Sequence, residues 1–187
     1  MLNLKITSLF MLCLFLLPAN AQQKWFNPMN TDYPVIQNQG WTKEIGNFYA
    51  RLPQRAKNEV REPLWNLSRN SSGLAIHFYS NANNITIRYK VEGSYSMPHM
   101  PNTGVSGIDL YAIDSDGNLK LASGSYKWGD TISFNYKIDA KDKYHNLGFE
   151  YRLYLPTYTS VKWLEIGIPE NADLEFIFCE KKLNDME

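Results

Sequence analysis

A chain of 187 residues with 19 basic and 19 acidic side chains carries no formal net charge at neutral pH. That balance excludes the basic footprint of a nucleic-acid binder and any strong pull toward an anionic membrane surface. With only two cysteines, Cys13 and Cys179, a disulfide-built scaffold is excluded as well.

Residues 1–21 read as an export signal. Lys5 supplies the positive start, residues 6–17 an apolar segment, and Pro18-Ala19-Asn20-Ala21 a small-x-small cleavage pattern that places the cut after Ala21. Twelve residues fall short of the roughly 20 that a membrane span needs. A lipoprotein signal is disfavoured because Cys13 follows Leu12, where a small residue belongs. The expected mature chain starts at Gln22 and is secreted or periplasmic. It keeps 166 residues, 18 basic against 19 acidic, and Cys179 alone, so no intramolecular disulfide can form. That length suits one core in one domain, residues 22–180, followed by a polar tail, residues 181–187. Cys179 sits in an apolar strand pattern and reads as a buried, inert thiol.

Residues 22–47, rich in Gln, Asn, Pro and Gly, read as an opening segment with one or two edge strands. Residues 56–61 favour one or two helical turns, which Pro63 is expected to stop. A dense turn signal, residues 68–73, follows. Residues 74–79 then alternate, with Leu74, Ile76 and Phe78 on one face and His77 on the exposed one. Ile85, Ile87, Tyr89 and Val91 alternate against Thr86, Arg88 and Lys90. Residues 108–113 and 119–125 flank Asp114-Ser115-Asp116-Gly117, a hairpin signal. Residues 131–138, 149–155, 161–168 and 174–179 complete eight or more strands rich in Tyr, Phe, Trp, Ile and Val. With little helix and no alternating βα pattern, the expected class is all-β, an antiparallel sandwich or barrel.

Tests for chemistry return little. His77, His99 and His145 lack metal-ligand spacing, and no metal or cofactor is assigned. Asp114-x-Asp116-Gly117 opens like a calcium loop, but the bidentate acid such a loop needs would fall at Ser125. Gly129-Asp130-Thr131 faintly resembles a Gly-Asp-Ser nucleophile motif. Its only downstream Asp-x-x-His, from Asp142 to His145, follows too closely and lies in a polar turn. No Gly-x-Ser-x-Gly elbow occurs, and no catalytic residue is assigned. Aromatics make up 14% of the chain, which raises sugar stacking; the loop candidates are Tyr95, Trp128, Tyr144 and Tyr158. His99 stands out, flanked by Met97 and Met100 and boxed by Pro98 and Pro101, which restrict the backbone that presents it.

That Pro- and Met-rich stretch runs into Gly107-Ile108-Asp109-Leu110-Tyr111. This string and its approach resemble the signature of the N-terminal domain of SGNH (GDSL-like) hydrolase-type esterases. The likeness extends to Arg51-Leu52-Pro53, to Val60-Arg61-Glu62-Pro63-Leu64-Trp65-Asn66-Leu67-Ser68-Arg69 and to Ser72-Gly73-Leu74. It continues through Tyr154-Leu155-Pro156 and Leu164-Glu165-Ile166-Gly167-Ile168, spanning about residues 40–178.

The resemblance implies a jelly-roll-like β-sandwich that packs on, or presents substrate to, an SGNH catalytic domain acting on esters, with carbohydrate esters as the expected substrates. The catalytic domain is expected outside this chain, as a further domain or a separately encoded partner. The residues that carry over are Met97, His99, Met100, Gly107, Asp109, Leu110 and Tyr111. Ile108 and Leu110 fall on one strand face, Asp109 and Tyr111 on the other, and Asp109 is expected to brace the loop of residues 97–103 by accepting hydrogen bonds. The alternative is a stand-alone carbohydrate-binding β-sandwich; a complete small enzyme lacks any nucleophile–base pattern to support it.

Overall fold

The computed structural model describes residues 22–46, 48–114, 116–138 and 149–178. Cys179, His145, Tyr144, the residue 141–146 turn, the leader and the tail lie outside them. Alternation builds the sheets. In β4 (Asn84–Glu92), Ile85, Ile87 and Tyr89 are fully buried while Lys90 and Glu92 are exposed. β8 (Ile132–Lys137) and β9 (Phe149–Tyr154) bury one face in the same way, and β10 (Ser160–Pro169) does so less regularly, with a register shift between Val161 and Trp163. Period-2 burial of this kind is what a sheet with one wet face requires.

Eleven strands are described. The others are β1 (Gln23–Phe26), β2 (Ile36–Gln37), β3 (Ala75–Ser80), β5 (Asp109–Ile113), β6 (Leu119–Leu121), β7 (Gly124–Lys127) and β11 (Leu174–Phe176). They form two sheets ordered β1-β10-β4-β8-β7 and β11-β3-β9-β5-β6, with β2 added on β3, and every pairing is antiparallel. Of the consecutive strands, only β2–β3, β5–β6 and β7–β8 pair; the remaining connections change sheet. Ile87, Leu164 and Ile166 from the first sheet meet Ile76, Phe78 and Leu153 from the second in one core. Phe78 and Tyr151 stack there at 5.2 Å. The expected all-β antiparallel sandwich is what the chain forms.

Among the described residues three short α-helices decorate it: α1 (Thr42–Ile45), α2 (Glu62–Ser68) and α3 (Asn102–Val105). Among the described residues no helix is long and apolar enough to cross a membrane. Two local expectations need correction. Of residues 56–61 only 56–58 are helical, as the end of a 3-10 turn over Gln54–Asn58, and Pro63 sits in the first turn of α2 instead of ending a helix. A first-turn proline gives up an N–H that has no helical partner in any case. The Asp-Gly hairpin does form: Gly117 has φ +81°, and the Asp114 carboxylate accepts the Asp116 and Asn118 N–H groups. Those two bonds and Lys120 hold Asp114 at a pKa of about 2.

The second correction concerns His77, which is half-buried rather than exposed, opposite Arg152 in the β3–β9 register. Burial first, then the Arg152 charge, lowers its pKa from 6.5 to about 4. Between those values the unfolded chain binds a proton that the folded chain refuses. Stability therefore rises with pH across this window and is lost as pH falls through it. Urea midpoints measured from pH 6.5 to 4 should fall, and should fall less steeply in His77→Gln.

Candidate functional site at the motif loop

The loop begins as a closed clasp. Met97 and Met100 exchange backbone hydrogen bonds, each N–H donating to the other's carbonyl at 3.0 Å, so Pro98 and His99 form the tip of a tight turn. Pro at the second position of such a turn pre-sets its backbone. Pro98 and His99 are exposed, Met97 and Met100 half-buried. Pro101 then caps α3, accepting the Gly104 and Val105 N–H groups at 3.0 and 3.1 Å.

Behind the clasp the chain is held from the core. Val105 and Ser106 are fully buried. The Tyr89 hydroxyl donates to the Ser106 carbonyl at 2.6 Å, and the Tyr136 hydroxyl donates to the Ile108 carbonyl at 3.2 Å. Burial raises both phenol pKa values well above 10, so both remain donors. The Tyr158 N–H donates to the Val105 carbonyl at 3.1 Å. Gly107 passes so close to α3 that a Cβ there would sit 2.2 Å from the Thr103 carbonyl oxygen. Tyr89→Phe should cost about 1 kcal/mol in urea unfolding, the net worth of one buried hydrogen bond whose acceptor stays behind.

The motif strand then splits its side chains by parity. Ile108 and Leu110 point inward and are buried. Asp109 is exposed, and Tyr111 is half-buried with its ring edge-on to Tyr154 at 5.7 Å. Across the sheet Tyr111 stands opposite Arg152 on β9 and Leu121 on β6. The Asp109 carboxylate has no hydrogen-bond or ion-pair partner among the described residues, so the expectation that it braces the loop is wrong. The bracing comes from Tyr89, Tyr136 and the Gly107 contact. Nothing local in the sequence marks the two tyrosines, which look like ordinary inward strand residues 17 and 28 positions from their acceptors.

Beside the motif, where the edges of the two sheets meet, lies a cleft of about 340 Å³. Its lining includes Gly107, Asp109, Leu121, Tyr126, Phe134 and Tyr136, with Thr103 and Ser123 as neutral polar groups. Asp109 is the one charged residue among the described lining. The cleft thus offers ring faces with a carboxylate, a surface suited to a hydroxylated or apolar group. Of the sugar-stacking candidates, Tyr95 and Trp128 come together at 5.8 Å. Tyr126 joins them, 6.0 Å from Trp128, though the sequence did not single it out. Tyr158 is exposed and makes no ring contact with them. Among the described residues no group of three or more His, Cys, Asp or Glu could hold a metal.

The profile of the GxDLY family, the N-terminus of SGNH hydrolase-type esterases, matches residues 23–174. The chain belongs to this family. As an SGNH-type esterase N-terminal domain it also shares its fold with two solved structures. A protein described as a GDSL-like lipase from Bacteroides ovatus is 24% identical, with a TM-score of 0.70 over 86% of this chain and 44% of its own. The second is a salicylyl-acyltransferase from a tetracycline biosynthetic pathway. It is 16% identical, with a TM-score of 0.56 over 87% of this chain and 44% of its own. The SGNH-type esterase N-terminal domain therefore spans less than half the length of each. A comparison with curated proteins finds no match.

Proposed function

We propose that this domain is the exported N-terminal module of an SGNH-type esterase, docking through its motif loop onto an SGNH catalytic domain, in cis or as a separate chain. The observation that carries the reading is that the loop is fixed from behind and bare in front. Buried tyrosines and a glycine contact hold its backbone, while Asp109, His99 and Pro98 remain exposed. A surface held rigid without serving its own core costs little ordering entropy when a partner docks. Export is supported by the leader, with strand pairing starting at Gln23, two residues past the expected cut. The strand orders β1-β10-β4-β8 and β3-β9-β5-β6 support reading the sandwich as a jelly roll. Esters on carbohydrate are the proposed substrate class, supported by the aromatic cleft beside the motif.

The test mixes the purified chain with an SGNH catalytic domain from a two-domain relative and follows p-nitrophenyl acetate hydrolysis and native mass. Association, with turnover seen only in the presence of the catalytic domain, supports the reading. Ester turnover by residues 1–187 alone, or no association, overturns it. The second reading, a stand-alone sugar-binding module, is favoured by the Tyr95–Trp128–Tyr126 cluster. Glycan binding without affinity for any catalytic domain would select it.

A further inference from the structure

We propose that the outward face of the five-stranded sheet, away from the motif loop's own residues, binds an acidic, uronate-bearing polysaccharide. Outward faces of antiparallel sheets normally carry polar residues, yet this one carries two half-buried indoles, and two backbone devices put them there. A bulge in β10 between Val161 and Trp163 interrupts alternation. Val161 and Leu164 both remain buried, which puts a half-buried Trp163 on the outward face with Glu165 and with Gly167, itself buried. Bulges commonly re-aim a side chain in this way. Trp25 on β1 lies against Gly167, where a Cβ would come within 2.7 to 2.9 Å of three ring atoms.

Between the two indoles sits Arg88, its guanidinium 3.7 Å from the Trp25 ring centre and 5.4 Å from that of Trp163, both within cation–π range. One Glu165 oxygen accepts its Nε and Nη2 at 2.9 and 2.6 Å, so the guanidinium is fixed while its Nη1 has no partner among the described residues. Alongside runs a polar row: Gln23 Nε2 donates to Thr86 Oγ1 at 3.1 Å, and Thr86 Oγ1 donates to Asn135 Oδ1 at 2.8 Å. Asn135 is exposed, its amide nitrogen unengaged among the described residues. Ring faces beside planar donors and acceptors held in fixed positions are what a sugar chain, with apolar faces and a hydroxyl rim, complements.

Charge narrows the ligand further. Glu165 compensates Arg88, and Glu92 compensates Lys162. Three lysines on the same face have no ion pair among the described residues. Lys90 stands opposite Trp163, Lys127 opposite Ser133, and Lys137 two positions beyond Asn135, all exposed. A chain of zero formal charge thus places these three lysines on the sheet face that carries its outward indoles, Lys90 beside Trp163 and the other two on more distant strands. Lys90 and Lys137 lie about 20 Å apart at strand spacing, a separation that an extended chain with repeated carboxylates can bridge. Sugar rings would rest on Trp163 and carboxylates would reach the lysines.

This inference does not rest on the esterase reading, because binding is measured on the chain without any catalytic domain. Affinity electrophoresis in gels holding polygalacturonate, a neutral glucomannan or duplex DNA is the test. Polygalacturonate should retard the chain at low salt, and the effect should weaken as salt rises. Trp163→Ala should reduce affinity by about tenfold, the scale of a binding hot spot. Asn135→Ala, an exposed change that spares the core, should reduce it in the same direction. No retardation by polygalacturonate overturns the proposal, as does equal or stronger retardation by glucomannan or DNA. Retention that both Trp163→Ala and Asn135→Ala leave unchanged also overturns it, since lysine charge alone would then be read.

Discussion

Gly107→Ala should destabilise the domain by about 3 kcal/mol, at the upper end of what overpacking a tight site costs. The added Cβ would meet the Thr103 carbonyl oxygen at 2.2 Å and the Thr103 carbonyl carbon and Cα at 2.9 Å. All three are backbone atoms, so no side chain can swing aside. Relief requires α3 to move, and α3 is tied down by the Val105 and Ser106 carbonyls accepting from Tyr158 and Tyr89. Moving it strains or breaks those bonds, and the buried carbonyls left behind add their own penalty. Urea unfolding followed by tryptophan fluorescence reads the loss, and hydrogen exchange at the Ser106 amide, bonded to the Asn102 carbonyl, should accelerate. A loss below about 0.5 kcal/mol, the size of a neutral surface change, would mean the close approach is not a constraint.

Leu110→Ala should cost about 3 kcal/mol, near the low end of the range for truncating a buried leucine. Leu110 is fully buried and stands opposite Leu153 in the β5–β9 register. It also lines the cleft, so part of the vacated space joins an existing opening, which is why the low end is expected. For a domain of this size the loss is equivalent to a fall of about 6–12 °C in melting temperature. Circular dichroism melts of Leu110→Ala beside Asp109→Ala, one position away, separate the two faces of the motif. Only the first should shift.

The sandwich was legible because its signal is periodic. Residues such as Ile76, Phe78, Ile85 and Ile87 repeat at two, and a period-2 pattern leaves few alternatives to a half-buried strand. The parity of Ile108 and Leu110 against Asp109 and Tyr111 was readable for the same reason. What escaped depends on contacts distant in sequence. His77 looks exposed by parity, but Arg152, 75 residues later, stands opposite it. Tyr89 and Tyr136 look like core residues, yet their hydroxyls hold the motif loop. Pro63 was misread because a proline can end one helix or begin the next, and local composition does not choose. The β10 bulge leaves no mark in composition, and with it the outward aim of Trp163 escaped notice.

In the proposed function the motif divides between architecture and recognition: Gly107 and Leu110 build the loop, while Asp109 and His99 are proposed to face a catalytic partner. The most direct measurement takes the Asp109→Ala, His99→Ala double variant of this chain. It compares urea stability with affinity for an SGNH catalytic domain by titration calorimetry. Stability within about 0.5 kcal/mol of the parent, as exposed positions allow, together with affinity reduced by about tenfold or more, is the expected result. Unchanged affinity, or a stability loss as large as that of Leu110→Ala, would contradict the claim.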